Sequence, residues 1–291
     1  MTLENICIAV LAQSIQARQT IGFLTVLFLA LGVGLLVSWQ VQHPLLSSLN
    51  HCPIRRNRLP LFFPFLQLFV WLAVAGLLNE ILKKFPYFQP ESTMRFAQNT
   101  ALTTVEIAMA AFFVLAARLA FVRGLKGFGL QFRTAGRDLF WATVNLIAAY
   151  PAIFLLLWLT IYVGRQFAGP EFELQKHQTL VELSQNGPVG MKIFLAFSVL
   201  MIVPTFEELL FRGLLQSTLT AYLVKPWLAI GITSLLFALL HYGTHFLGIF
   251  ALSCCLGYAY EKSGSLLRPI FIHILFNSTS VLAVFLFGAN Y

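Results

Sequence analysis

Glu207 and Glu208 stand side by side in Pro-Thr-Phe-Glu-Glu-Leu-Leu-Phe-Arg, four residues ahead of Arg212. Two more polar sets follow on later apolar stretches. Phe237 precedes His241 by four residues, and His273 precedes Asn277 by four. Residues four apart share a helix face, so Glu208 and Arg212 can pair within one helix. Glu207 is turned about 100° from Glu208 by the helical period, which leaves it free to act on water. A histidine ionises near neutral pH and can accept a proton from water at the position of His241. A neutral imidazole and a carboxamide, at His273 and Asn277, suit donation of hydrogen bonds to a developing oxyanion. Together these types point to hydrolysis. Bland readings stand beside each: glutamates at a helix end, a core histidine on a carbonyl, a core His–Asn pair, or metal ligation through the imidazoles.

Other groups carry less. His245 follows His241 by four, which is metal-ligand spacing. Gly243 and Thr244 are placed to end the helix between them, and the glutamate that follows the first histidine in zincins is missing. His245 is therefore expected at the edge of the site in a structural role. Glu106 is a lone acid in an apolar stretch and receives no role. No Gly-x-Ser-x-Gly is present, and Ser253 and Ser278 are single hydroxyls outside any motif. Pro204 weakens the helix just before the glutamates, which membrane-depth backbone tolerates where it lines a cavity.

These residues must be positioned by elements made almost wholly of hydrocarbon. The 291 residues are 58% hydrophobic and 10% charged, with mean hydropathy +0.80. An ordinary soluble chain carries about 25% charged residues, so the composition gives a polytopic membrane protein. The 29 phenylalanines suit lipid-facing helices. The net charge of +8 sits in short loops, where it orients the chain and meets anionic headgroups; no nucleic-acid partner is expected. Cys7, Cys52, Cys254 and Cys255 form no Cys-x-x-Cys pair, so neither a thiolate zinc site nor a disulfide framework is expected.

Runs near the ~20-residue spanning length fall at about 20–40, 61–82, 101–121, 139–164, 189–206, 227–245, 246–260 and 266–288. Helical character continues through 207–220, so 189–220 reads as one long or broken helix. The expected fold is an all-α membrane bundle of seven to eight transmembrane helices. Residues 1–19 lack the basic start of a cleavable leader and are expected to form a short interfacial helix, with Thr20–Trp39 as an uncleaved anchor. Arg55, Arg56, Arg58, Arg123, Lys126, Arg133 and Arg137 put loops 41–60 and 122–138 on the cytoplasmic side. Lys83, Lys84 and Arg95 in loop 83–100 run against that orientation. Residues 187–291 hold the convergent polar groups and form the expected functional domain; residues 1–186 form accessory helices.

The three motifs, Glu207-Glu208-x-x-x-Arg212, Phe237-x-x-x-His241 and His273-x-x-x-Asn277, resemble in content and order the CPBP family, the Abi or CAAX-protease type of intramembrane endopeptidases. Gly257, Gly264 and Ser265 resemble the family's approach to its third motif. The likeness covers about 190–288. It implies peptide-bond hydrolysis of a membrane-associated peptide or protein, in some members prenylated. It also implies Glu207 and His241 as water activators, His273 and Asn277 as oxyanion donors, and Glu208 with Arg212 in support. Members are described both as metalloproteases and as metal-free glutamate proteases, and others serve as scaffolds or bacteriocin-immunity proteins. The expectation here is an integral multi-pass protein in a bacterial plasma membrane, surrounded by lipid, working without a tightly bound cofactor. A divalent metal such as zinc is the disfavoured option, because Glu208 is neutralised by Arg212 and no further acid is visible beside His241 or His273. A non-catalytic scaffold is the main alternative. A proton-coupled transporter is a third, for which the inverted repeats are missing.

Overall fold

The fold follows from how the apolar runs end. A computed structural model of the chain describes residues 25–42, 49, 52, 55–84, 91–175, 178–184, 188–241 and 243–287. The expected interfacial helix at 1–19 lies outside the described residues. Ten helices are described: α1 Thr25–Gln42, α2 Phe62–Lys83, α3 Glu91–Ala120, α4 Gly124–Phe128, α5 Ala135–Ala168, α6 Gln178–Ser184, α7 Val189–Leu223, α8 Pro226–Leu240, α9 Phe246–Ser263 and α10 Leu267–Phe287. The β structure among the described residues is one isolated bridge, Asn57 to Phe121. The all-α expectation therefore holds.

Five helices, α1, α2, α3, α5 and α7, are long and apolar enough to cross a membrane; α8 and α10 are apolar but shorter. The run expected over 227–245 stops early because Gly243 takes φ +117°, a conformation other side chains rarely adopt. The expectation of one helix through 189–220 is met by α7, which runs 35 residues.

Large apolar side chains such as Leu119, Phe69 and Phe154 point outward. Inside, α7 is buried on every side from Phe206 to Thr220. Lipid is as apolar as leucine, so helix association at this depth rests on close packing and polar contacts rather than on escape from water. Aromatic rings supply the packing. Phe113 of α3 stacks on Phe206 of α7 at 5.8 Å between centroids, and Trp71 of α2 meets the same ring at 5.4 Å. Gly213 supplies a close approach: a Cβ there would collide with the Phe128 ring.

The loops gather at two ends. Arg58 N donates to Ala120 O at 2.9 Å, Val122 N to Arg56 O at 3.2 Å, and Leu266 N to Gly129 O at 2.9 Å. The two basic loops thus share one end with the α9–α10 turn. At the other end, Arg95 pairs with Glu182 of α6 at 3.4 Å.

Two ion pairs tie the early helices to the later ones. Asp138 at the start of α5 pairs with Arg268 of α10 at 3.0 Å. Arg55, read from sequence as an orienting loop cation, is instead buried. It pairs with Glu261 of α9 at 3.0 Å, donates to Tyr260 O at 2.6 Å and lies 3.6 Å over the Tyr260 ring. Gln216 and Thr220 of α7 donate to the same Glu261, at 2.9 and 3.2 Å.

Removing one partner of a buried pair strands the other charge, at a cost of about 3–5 kcal/mol. Arg55→Ala should therefore lower the unfolding temperature in detergent sharply, while Arg56→Ala, at an exposed neighbour, should change stability by no more than about 0.5 kcal/mol. Equal melting of the two variants would remove the argument for the Arg55–Glu261 tie.

Candidate active site

The site begins with an irregularity of α7. Two π-helical stretches, Ser198–Ile202 and Leu209–Gln216, flank the α-helical turn Val203–Glu208 that carries both glutamates. Such bulges are rare and concentrate at functional sites. In the π register each N–H reaches the carbonyl five residues back, as Val203 N does to Ser198 O. The next residue is Pro204, which has no N–H. The carbonyl it would have served, that of Val199, is instead taken by Asn277 Nδ2 of α10 at 3.0 Å. A sequence accident of α7 thus fixes where α10 docks.

Glu208 and Arg212 form the expected pair, Nη1 to Oε1 at 3.0 Å, with both side chains at or below 1% exposure. The second guanidinium nitrogen donates to Ser253 O at 3.1 Å and to Ser253 Oγ at 2.7 Å on α9. The guanidinium carbon also sits 4.8 Å from the Phe237 ring centroid. Ser253, outside any motif, is therefore part of the support. Its distance of 41 residues from Arg212 leaves no periodic signal in the sequence.

His273 lies 2.9 Å from Glu208 Oε1 through Nδ1. A carboxylate paired with arginine only accepts, so Nδ1 carries the proton. The ring then turns Nε2 toward Glu207 Oε2, 3.6 Å away. This corrects the expectation that no further acid stands beside either histidine: Glu208 serves Arg212 and His273 at once. His241 is oriented in the same fashion. It caps α8, and its Nδ1 donates to Phe237 O at 2.9 Å, which leaves Nε2 3.7 Å from Glu207 Oε1. Phe237 packs between the two rings, 4.5 Å from His241 and 5.9 Å from His273.

Glu207 therefore has one imidazole Nε2 opposite each of its oxygens, at separations beyond a direct hydrogen bond and suited to a shared small molecule. Its side chain is 7% exposed and that of His273 is 6%, while His241 reaches 29%. Access is thus from the His241 side. A mostly apolar cavity of about 370 Å³ opens between the end of α5 and the turn after His241, lined by Leu159, Val163, Phe172, Gly243, Phe246 and Leu247; none of the site side chains lines it. Gln175 N donates to Thr244 Oγ1 at 2.7 Å and pins the loop after α5 over that turn.

Glu207, Glu208, Arg212, His241 and His273 come together. Asn277 lies one helical turn from His273 with one amide hydrogen committed to Val199, and an amide has a second. His245 heads α9 beyond the break at Gly243, separated from the His241 helix. Gly257 O accepts from Gln216 Nε2 at 3.0 Å, Gly264 ends α9 at φ +70°, and Ser265 is buried. Among the described residues no three His, Cys, Asp or Glu side chains are arranged to hold a metal ion. The donors nearest to such a set are the two Nε2 atoms and Glu207, with N···O separations of 3.6 and 3.7 Å.

Residues 189–279 match the family model for type II CAAX prenyl endopeptidase, Rce1-like. No curated protein and no solved structure matches the chain. The matched stretch contains all three motifs and runs from the start of α7 into α10. It bears out the likeness to the CPBP and CAAX-protease family and supports a membrane protease. With five long apolar helices, the chain is an integral membrane protein.

Stability should separate the glutamates. Arg212→Ala strands the buried Glu208 and should cost about 3–5 kcal/mol. Glu207→Gln, which breaks no ion pair shorter than 3.6 Å, should melt within about 1 kcal/mol of the parent. Asn277→Ala should fall between, at about 1–3 kcal/mol, by leaving the Val199 carbonyl unserved. Indistinguishable thermal unfolding of all three would contradict the pairing.

Proposed function

We propose that the chain is an intramembrane endopeptidase that cuts a membrane-associated substrate with a water activated by Glu207. The observation that carries this reading is the placement of one histidine Nε2 opposite each oxygen of a buried carboxylate that has no Lys or Arg ion pair among the described residues. Arg212 neutralises Glu208, so Glu207 is free for proton transfer. A water held between Glu207 and His241 loses a proton to the carboxylate as its oxygen bonds to the substrate carbonyl carbon. Asn277 stabilises the oxyanion through its second N–H, and His273, its Nδ1–H held by Glu208, keeps Nε2 turned toward Glu207. Glu207 then returns the proton to the leaving nitrogen as the C–N bond breaks. His241 stands at the exposed edge, where water and an extended peptide reach the site. The apolar cavity at the turn after His241 suits a substrate with a hydrocarbon portion, prenylated or not.

The reading extends to placement. We take α8, α9 and α10 to lie in the bilayer with the five long helices, giving eight spans with the basic loops cytoplasmic, in a bacterial plasma membrane. Residues 1–186 serve as accessory helices and 187–291 as the protease domain. No tightly bound metal is required in this reading, and the support is that the second carboxylate, Glu208, is tied to Arg212 at 3.0 Å and adds no charge toward a dication. A scaffold that keeps the polar core for packing is the second reading, and Glu207 argues against it, since packing gains nothing from a carboxylate without a cation.

General-base removal typically costs ~10²–10⁴-fold. Membranes carrying Glu207→Gln should contain the same amount of folded protein and accumulate an uncut peptide that wild-type membranes process, read by quantitative comparison of peptide termini. Identical peptide profiles with equal protein levels would favour the scaffold. For the metal, purified protein should hold far less than one equivalent of zinc by elemental analysis, and cleavage should survive prolonged chelation. Stoichiometric zinc whose removal stops cleavage and whose return restores it would overturn the glutamate mechanism.

A further inference from the structure

Charge and burial together give the site a side. Most of the chain's 19 Lys and Arg gather at one end of the bundle, among them Arg56, Arg58, Arg123, Lys126, Lys225 and Lys262. Tyr222 Oη donates to Leu59 O at 3.5 Å, which brings the α7–α8 turn and its Lys225 to that end. Lys262 lies in the last turn of α9, next to the Glu261 that pairs with Arg55. At the other end Lys83 stands 2.8 Å from Glu80, and Arg95 3.4 Å from Glu182. Short loops dense in Lys and Arg are retained on the cytoplasmic side of a membrane.

From Glu207 toward that basic end the way is closed. Every residue of α7 from Leu209 to Thr220 is buried. Arg212 with Ser253 fills the first layer, Leu214 and Tyr260 the next, and Gln216 with Glu261 and Arg55 the last. The opposite direction differs. The 15 residues of α8 start beside Lys225 and rise about 1.5 Å each, so His241 lies about 22 Å from the basic end, in the far half of a hydrocarbon core ~30 Å thick. His241 is also the exposed member of the site, at 29% against 7% for Glu207. With 34 residues α5 outruns α8, and its loop Gly169–Gln175 folds back over the turn after His241. Gln175 N donates to Thr244 Oγ1 at 2.7 Å, and a Cβ on Gly243 would lie 2.8 Å from Gln175 Oε1. A Cβ on Gly164 would collide with the Phe172 ring, so the loop is seated on α5 as well. Its Glu171, Glu173 and Gln175 are exposed, which makes the roof over the mouth polar.

We propose that the site opens on the face of the membrane opposite the basic loops, and that its substrate is a polypeptide segment presented on the extracytoplasmic side. The proposal rests on the peptidase reading and on the cytoplasmic placement of the basic loops. It fixes the order of events: a step that carries the segment across the membrane has to come before the cut. The loop Gly169–Gln175 is then the first part of the chain that the segment meets. That loop belongs to the accessory helices and lies outside the 189–279 match.

The test is labelling of single introduced cysteines in the full chain with a membrane-impermeant, charged methanethiosulfonate. Intact spheroplasts expose one face to the reagent and sealed inverted vesicles the other. Each label is located by peptide mass, so the native cysteines do not interfere. Glu173→Cys reports the roof, His241→Cys the mouth, and Arg133→Cys a basic loop. Glu173→Cys and His241→Cys should label in spheroplasts and lose the label in inverted vesicles, and Arg133→Cys should do the reverse. Labelling of His241→Cys from the vesicle side, or from neither side, overturns the proposal, as does labelling of Arg133→Cys in spheroplasts. Should His241→Cys fail to fold, Thr244→Cys reads the same mouth. The labelling needs no cleavage, so the two ideas fail separately. An outward mouth with a peptide profile unchanged by Glu207→Gln keeps the sidedness and removes the peptidase. Cleavage with a mouth that labels only from the cytoplasmic face does the opposite.

Discussion

Everything in the site depends on the neutralisation of Glu208 by Arg212 at 3.0 Å, where neither side chain is more than 1% exposed. A charge that deep finds no water, so its partners have to come from the protein. The consequences spread outward. Arg212 has more donors than one carboxylate uses, and α9 answers with the Ser253 carbonyl and hydroxyl. Glu208 has more acceptor capacity than one guanidinium uses, and α10 answers with His273. One ion pair on α7 thus selects the partners on α9 and α10, and the ring it orients is the ring that faces Glu207. Lys would not replace Arg212 here, because the fork of donors serves two helices at once.

The second determinant is the break in α7. A regular helix of 35 residues would carry its backbone polarity entirely within itself. Pro204 and the π stretches expose a carbonyl, and Asn277 satisfies it. The same asparagine therefore holds two helices in register and brings an amide within one turn of His273. Structure and chemistry share this residue, so loss of activity on replacing it would not by itself identify an oxyanion donor. Glu207 separates from that problem, because it makes no ion pair shorter than 3.6 Å among the described residues.

Much of this was legible in the sequence, for reasons that can be named. Spacing of four predicts Glu208 with Arg212, and the structure contains that pair, because local helical geometry leaves little choice. The order of the three motifs was likewise visible, since each sits within a single helix turn. The helix ends were less legible: α8 stops at Leu240 because of one glycine dihedral, and α3 begins at Glu91, ten residues before its apolar run. Contacts between distant positions were not legible at all. Nothing in the run around Ser253 marks it as a partner of Arg212, and Arg55 reads as a loop cation until Glu261 is seen beside it. Glu208 beside His273 is likewise illegible in the sequence, because spacing pairs Glu208 with Arg212 alone.

Arg55 bears on how the chain is divided. The polar network of Arg55, Glu261, Gln216 and Thr220 lies at the basic end of α7, and Gln216 closes the second π stretch. Its hydrogen bonds run to Gly257 and Glu261 of α9, the helix that also supplies Ser253. The register between α7 and α9 is therefore fixed twice, once at Arg212 and once a turn further along at Gln216. Two polar clamps on one helix pair leave little freedom to slide, which is what a site built from side chains on different helices requires. Arg55 reaches that clamp from residues 1–186, and Asp138 reaches Arg268 from the same part of the chain. The early helices thus hold the register of the later ones through charge pairs, and the boundary proposed near residue 187 is crossed by both.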